Sequence, residues 1–114
     1  MNPRDITLSY HFTTDRKDRL HEINWVLMND WGLSIYKAWN PERKTWNHIT
    51  NTGLYFVTGE DESCIITMFI PSISQVYRLF AEHGAKMPYS LKQRIHQNDK
   101  LVREYEENFF EKSA

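Results

Sequence analysis

The sequence predicts an α+β domain: a small, mostly antiparallel sheet of four to five strands, with an N-terminal helix and two C-terminal helices. Three observations predict it. Two runs rich in aromatic and β-branched residues, Leu54–Thr58 and Cys64–Ile70, flank the polar connector Gly59-Glu60-Asp61-Glu62. Such residues fit a pleated, packed surface, and a short polar loop containing Gly is hairpin chemistry. Apolar residues recur at three and four in two separate stretches, Leu20-Ile23-Leu27 and Ile73-Val76-Tyr77-Phe80, which is a helical stripe. The strands follow one another in the middle of the chain while the helices sit at its ends, the arrangement of an α+β fold.

In chain order, Ile6–Phe12 alternates apolar and polar residues and reads as a first strand. Thr13 or Thr14 then caps a helix, with Asp15 in its first turn where the dipole favours an anion, running to about Asp30 and stopped by Gly32. Leu33–Trp39 reads as a second strand, with Leu33, Ile35, Lys37 and Trp39 on one face and Ser34, Tyr36 and Ala38 on the other. Asn40–Lys44 is a turn opened by Asn-Pro, and Thr45–Thr50 a third strand. Whether residues 45–58 form one bent strand or two is open at this level, because Asn51-Thr52-Gly53 reads as a bend or a bulge.

Cys64–Ile70 is apolar at every position but Thr67, which predicts a central strand covered on both faces and ended by Pro71. Ser72 and Gln75 match a capping box for the helix that Gly84 ends. The last helix runs from about Tyr89 to Phe110. Its positions Leu91, Ile95, Asn98, Val102, Tyr105 and Phe109 step as a heptad seam that packs on the domain or on a second copy, with an acidic end that frays.

The 114 residues make one domain, 1–114, in which 6–71 is sheet plus helix and 72–114 a helical extension. No apolar run approaches the roughly 20 residues needed to cross a bilayer, the N-terminus lacks a signal-like apolar core, and the single cysteine, Cys64, has no internal partner. The expected compartment is the cytoplasm, with no membrane partner. A net charge of −1 excludes a whole-chain basic field for nucleic acid and the acidity of a DNA mimic. Local basic clusters remain, at Arg16, Lys17 and Arg19 and again from Lys86 to Arg103, before the acidic tail Glu104–Glu111.

The five histidines suggest no metal site. His21-Glu22 begins a HExxH match that fails at Trp25, and His11, His48, His83 and His96 make no close pair. No GxSxG and no phosphate-cradling glycine loop occurs, and no cofactor is called for. One constellation carries chemistry. His11 stands at the end of the first strand, Arg16 and Arg19 share a face of the following helix, and Thr67 is the lone polar group of the last strand. Lys37, His48 and Tyr55 lie on the strands between. A histidine to move a proton, arginines for phosphate charge and a hydroxyl near the 2′-OH suffice for RNA cleavage without metal. The plainer reading is a solvated helix face and a filled sheet position.

The pairing of YHFTTDRKDRL (Tyr10–Leu20) with TGLYFVTGEDESCIITMFIP (Thr52–Pro71) resembles small RelE/ParE-like proteins, a metal-independent RNase toxin fold common in phages and mobile elements. The resemblance covers about residues 6–71. It implies His11 as acid/base, Arg16 and Arg19 on the scissile phosphate, Thr67 or Tyr55 at the ribose, Lys37 and His48 as further substrate contacts, RNA as substrate and a cognate antitoxin as partner. Two features depart from that pattern: the chain is slightly acidic, and residues 73–110 form a helical extension. A second reading is a non-enzymatic protein that binds and inhibits a host defence complex through exposed tryptophans among Trp25, Trp31, Trp39 and Trp46, or through the 89–110 helix. A homodimer along residues 89–110, with Asn98 setting its register, is compatible with either.

Overall fold

The computed structural model describes residues 1–110. Pro3–Asp5 form a short 3-10 turn, and only Thr7–Leu8 of the first apolar stretch is strand, β1. Ser9 takes an extended conformation and its Oγ accepts from Phe12 N at 3.1 Å, so Tyr10–Asp15 wind into a helix, α1. His11 therefore lies on a helix and not at the end of a strand. A second helix, α2 (Lys17–Leu27), follows after Arg16, which has φ −122° and makes no side-chain cap. The expected caps Thr13 and Thr14 lie inside α1, and Asp15 is its last residue. Met28, in the left-handed region at φ 55°, ends α2 before Gly32 is reached.

The strands β2 (Ser34–Asn40), β3 (Thr45–Thr50), β4 (Tyr55–Thr58) and β5 (Cys64–Phe69) form with β1 one five-stranded sheet in the order β1-β5-β4-β3-β2. The short β1 pairs parallel to β5, and every other pair is antiparallel. Residues 45–58 are two strands. Asn51–Leu54 turn between them, with Leu54 N donating to Thr50 Oγ1 and Thr52 Oγ1 to the Trp31 carbonyl. The central strand is β4, not β5. Beyond β5 only Thr7 and Leu8 pair, and a bulge between the Val57↔Thr67 and Thr58↔Ile65 pairs turns Ile66 outward to 40% exposure. The bulge re-aims the strand, so Ile65 and Met68 point to the same side while Thr67 and Phe69 point to the other.

Two cores sandwich the sheet. On one face Phe56, Ile65 and Met68 pack against Phe12 of α1 and Ile23, Val26 and Leu27 of α2. Each of these fully buried side chains contributes about 1.5–3 kcal/mol through the hydrophobic effect. On the other face Ala38 and Ile49 pack against Val76, Leu79 and Phe80 of α3 (Ile73–Ala81) and Leu91 and Ile95 of α4 (Tyr89–Phe110). The capping box of α3 is complete, with Ser72 Oγ accepting from Gln75 N and Ser72 N donating to Gln75 Oε1 at 2.8 Å.

Helix α4 joins the cores. Its first turns lie on the α3 side, while Leu101, Val102 and Tyr105 pack on the α2 side. It crosses at the β3–β4 turn, where the wholly buried Asn98 donates Nδ2 to the Thr52 carbonyl at 2.7 Å. Gly53, at φ 87°, permits that approach, because a Cβ there would stand 2.5 Å from Asn98 Nδ2. Leu91, Ile95 and Asn98 of the heptad seam are thus buried within the chain, with Val102 and Tyr105 half-buried, so this part of the seam packs on the domain rather than on a second copy. Asn98 fixes α4 onto a turn and sets no dimer register. Phe109 and Glu111 lie outside the residues whose side chains are described. Among the described residues no helix is long and apolar enough to cross a membrane.

Candidate functional site

Strand parity divides the candidate residues. Val57 faces Thr67 and Tyr55 faces Phe69 across the β4–β5 ladder, placing Tyr55, Thr67 and Phe69 on the α3 side of the sheet. Lys37 faces His48, and His48 faces Phe56, placing both Lys37 and His48 on the α2 side. The sheet itself stands between these groups. The resemblance therefore maps onto two places.

On the α3 side, Arg19 Nη1 donates to Thr67 Oγ1 at 3.3 Å, and the guanidinium lies 5.8 Å from the centre of the Phe69 ring. Phe69 in turn stacks on Tyr55, centroids 4.8 Å apart and planes 17° from parallel. These rings floor a cleft of about 510 Å³ between the sheet and α3. Asn47 of β3 and Gln75, Arg78, Glu82 and His83 from α3 and its end also line it. The apolar stripe of α3 packs on Ala38 and Ile49, so the stripe one third of a turn round, Gln75-Arg78-Glu82, faces the cleft. Burial, then the nearby Glu82 carboxylate, pushes the Tyr55 phenol above its usual pKa, keeping it a protonated donor near neutrality.

Neither His11 nor Arg16 lines this cleft. Both are exposed, and His11 Nδ1 is 2.8 Å from Asp15 Oδ2 one turn along α1, an ion pair when the imidazole is charged. Arg78, His83 and Asn47 have the chemistry of a site, yet nothing in their spacing marks them. The one signal was the polar i, i+3, i+7 face of α3, which also describes a solvated surface.

On the α2 side, His48 is 1% exposed and lies flat on Phe56, centroids 4.3 Å apart. Its Nε2 is 3.1 Å from Thr58 Oγ1 and 3.4 Å from Glu62 Oε1, and its Nδ1 is 3.3 Å from Ser34 Oγ. Lys37 Nζ donates to both Glu62 oxygens at 3.0 and 3.1 Å and lies over the Trp46 ring. Burial lowers the His48 pKa to about 4, against the opposing pull of Glu62 and with smaller help from Lys37 and the N-terminal amine. The ring is neutral at pH 7. Glu62 reaches it from a backbone in the left-handed region, φ 57°, braced by Glu62 N donating to the Gly59 carbonyl and by Asp61 accepting from Ser63.

The tryptophans do not form an exposed patch. Trp31 is 5% exposed, donates to Asn24 Oδ1 and carries Arg4 over its ring, while Trp25 packs on Tyr105 and Trp39 on Trp46. Among the described residues no group of three or more His, Cys, Asp or Glu is placed to hold a metal ion. No protein-family model, curated protein or solved structure matches this chain.

Proposed function

We propose that this protein binds and cleaves single-stranded RNA without a metal, in the cleft between the sheet and α3, in the manner of a small toxin held in check by an antitoxin. The observation that carries the reading is the Tyr55–Phe69 stack flooring a cleft that also collects Arg78 and His83. Paired rings on a sheet surface give unstacked bases a platform of about 1–3 kcal/mol each. Arg78 supplies charge for a phosphate, with Arg19 beside Phe69 as a second cation along the same face. His83 takes the 2′-OH proton as the 2′-oxygen attacks phosphorus. The Tyr55 phenol donates to the departing 5′-oxygen and Asn47 orients the ribose, while Thr67, bonded to Arg19, lies outside the cleft's lining. The catalytic histidine of this reading is His83, and Arg78 stands in the place that the resemblance gives to Arg16.

Glu42 and Glu82 line the same cleft and offset its cations, so stacking outweighs charge in binding. With about two phosphates neutralised, the slope of log K against log[salt] is about −1.4, far shallower than for a basic RNA binder. Of the tryptophans on which the defence-inhibitor reading relies, Trp31 is buried, while Trp25, Trp39 and Trp46 are half-buried in ring contacts.

The test is purified protein on end-labelled single-stranded RNA in excess EDTA, with growth and total RNA integrity followed during controlled expression. Cleavage to 2′,3′-cyclic phosphate and 5′-OH ends is expected. Arg78→Ala and His83→Ala should each slow it about 100-fold or more at an unchanged thermal midpoint. Intact RNA with the wild-type chain, or equal cleavage by both variants, overturns the reading in favour of a non-enzymatic binder.

A further inference from the structure

The Ser34–His48–Glu62 cluster lies on the opposite side of the sheet from the RNA cleft and is not used by it. We propose that these three side chains form a nucleophile–base–carboxylate relay, with Ser34 an activated nucleophile toward small uncharged acyl or phosphoryl electrophiles. The links are Ser34 Oγ to His48 Nδ1 at 3.3 Å and His48 Nε2 to Glu62 Oε1 at 3.4 Å. The tautomer in which Nε2 donates, to Thr58 Oγ1 and Glu62, leaves Nδ1 free to accept the Ser34 hydroxyl proton. Three further observations point the same way. Ser34, His48 and Glu62 share the wall of a cavity of about 320 Å³ with Met1, Ile35, Tyr36 and Lys37, at the small end of ligand-binding sites. Ile35, the bulged residue next to Ser34, has no register partner on β3, so the backbone there departs from the regular ladder beside the nucleophile. Glu62 holds its carboxylate at the ring from a left-handed backbone that costs energy for a residue with a Cβ, the sort of strain found where geometry serves chemistry.

The step balances without a cofactor. Ser34 Oγ attacks the carbonyl carbon of a small ester as its proton passes to His48 Nδ1. The alcohol or phenol leaves and takes that proton, giving O-acyl-Ser34. Water then attacks, its proton going to Nδ1, and the acid is released with Ser34 restored. Glu62 touches no substrate. It orients and polarises the imidazole, with Lys37 holding the carboxylate in place. Cavity size limits the acyl group to a short chain, and the Lys37–Glu62 pair in its wall is already neutralised, so an uncharged group fits it best.

The full chain is treated with a fluorophosphonate, which phosphonylates an activated serine with loss of fluoride, and followed by intact mass and peptide mapping; 4-nitrophenyl acetate turnover is read alongside. One adduct per chain, mapped to Ser34, is expected. Ser34→Ala removes a single oxygen and should abolish the adduct at an unchanged thermal midpoint, which keeps the test decisive even if His48→Gln fails to fold. Where His48→Gln does fold, labelling should slow at least 100-fold. Glu62→Gln should slow it about tenfold and move the midpoint of its pH–rate profile downward, because the lost carboxylate no longer supports the imidazolium; a merely structural role would leave that midpoint in place. No adduct on the wild-type chain, an adduct on another residue, or wild-type labelling of folded His48→Gln each overturns the relay and leaves His48 a packed core histidine. None of these readouts involves RNA, and Arg78→Ala should label like the wild type.

Discussion

Acidification should destabilise this fold through one residue. In the folded chain burial holds His48 at a pKa of about 4, whereas the unfolded chain has the ordinary value of 6.5. The folded state therefore prefers the neutral ring. Its contribution is fully present above pH 6.5 and is lost as pH falls toward 4, because the unfolded state takes up the proton first. The difference of about 2.5 pH units is worth roughly 3 kcal/mol at about 1.4 kcal/mol per unit, a large part of the 5–15 kcal/mol that holds a small domain together. The groups facing the ring are Ser34 and Lys37 of β2, Phe56 and Thr58 of β4, and Glu62, and only Glu62 favours the charged form. The assay is urea unfolding of the wild-type chain and His48→Gln at pH 7.5, 6.5, 5.5, 4.5 and 4. His48→Gln loses the stack on Phe56, so it starts less stable at pH 7.5. The gap between the two should then shrink by about 3 kcal/mol by pH 4. Glu22 works the other way, since burial and Glu106 raise its pKa and its contribution is lost as pH rises, but it is common to both chains and cancels. A gap constant to within about 0.5 kcal/mol across the range would show that His48 is not held neutral by its surroundings, and the reasoning fails.

Other perturbations test the frame. Asn98→Leu strands the buried Thr52 carbonyl and the Arg94 side chain that donates to Asn98 Oδ1, so it should cost about 2–3 kcal/mol in urea unfolding. Light scattering should find its oligomeric state unchanged, and a shift in mass without loss of stability would return the seam to the surface. Gly53→Ala meets both a left-handed backbone and Asn98 Nδ2, and should lower stability by more than about 1 kcal/mol; in an Asn98→Ala background most of the steric part should vanish in a double-mutant cycle. Ser72→Ala removes the side-chain arm of the capping box, leaving the backbone N–H arm to Gln75, and should cost about 1 kcal/mol, read by the same unfolding curves. Tyr55→Phe keeps the stack on Phe69 but removes the phenolic donor, so RNA affinity by fluorescence anisotropy should hold while cleavage falls at least tenfold.

Much of the fold was legible where a pattern was long or doubly specified. Thr45–Thr50 appears as read, Tyr36 and Ala38 share the α3 face of β2 as expected, and Ser72 with Gln75 makes a complete capping box on α3, but the bulge at Ile35 turns Ser34 to the other face, beside His48. Ile6–Phe12 was not legible, because seven residues hold too little of either period to separate strand from helix. A single hydrogen bond from Phe12 N to Ser9 Oγ settles it. The even coverage expected of Cys64–Ile70 failed for a different reason. Ile66 is bulged out of the ladder, which no local composition announces.

Register between strands also divides the candidate residues of the site. In a sheet, side chains meet only if strand parity and register put them on one face, and a slip of one residue exchanges the faces. Parity within a strand is written in the sequence, but register between strands depends on turns and bulges. Reading Thr67, Tyr55, His48 and Lys37 as one constellation assumed a register that the chain does not have. With Val57 opposite Thr67 and Phe56 opposite His48, Thr67 and Tyr55 join Phe69 and the polar face of α3, while His48 and Lys37 join Glu62. Restoring the regular ladder is a direct check on this account. Deleting Ile66 removes the extra residue, so Ile65 becomes the direct neighbour of Thr67 and regular alternation keeps it opposite Thr58, buried on the face of Phe56 and Met68. No buried side chain changes face and only the 40%-exposed Ile66 is lost, so urea unfolding should show a loss of no more than about 1–2 kcal/mol of apolar burial. The Arg19–Thr67 bond, which lies beyond the bulge, should survive wherever the variant folds. Exposure of Ile65 in the variant, or a loss well beyond about 2 kcal/mol, would mean that the bulge is not what holds Ile65 and Met68 on one face of the sheet.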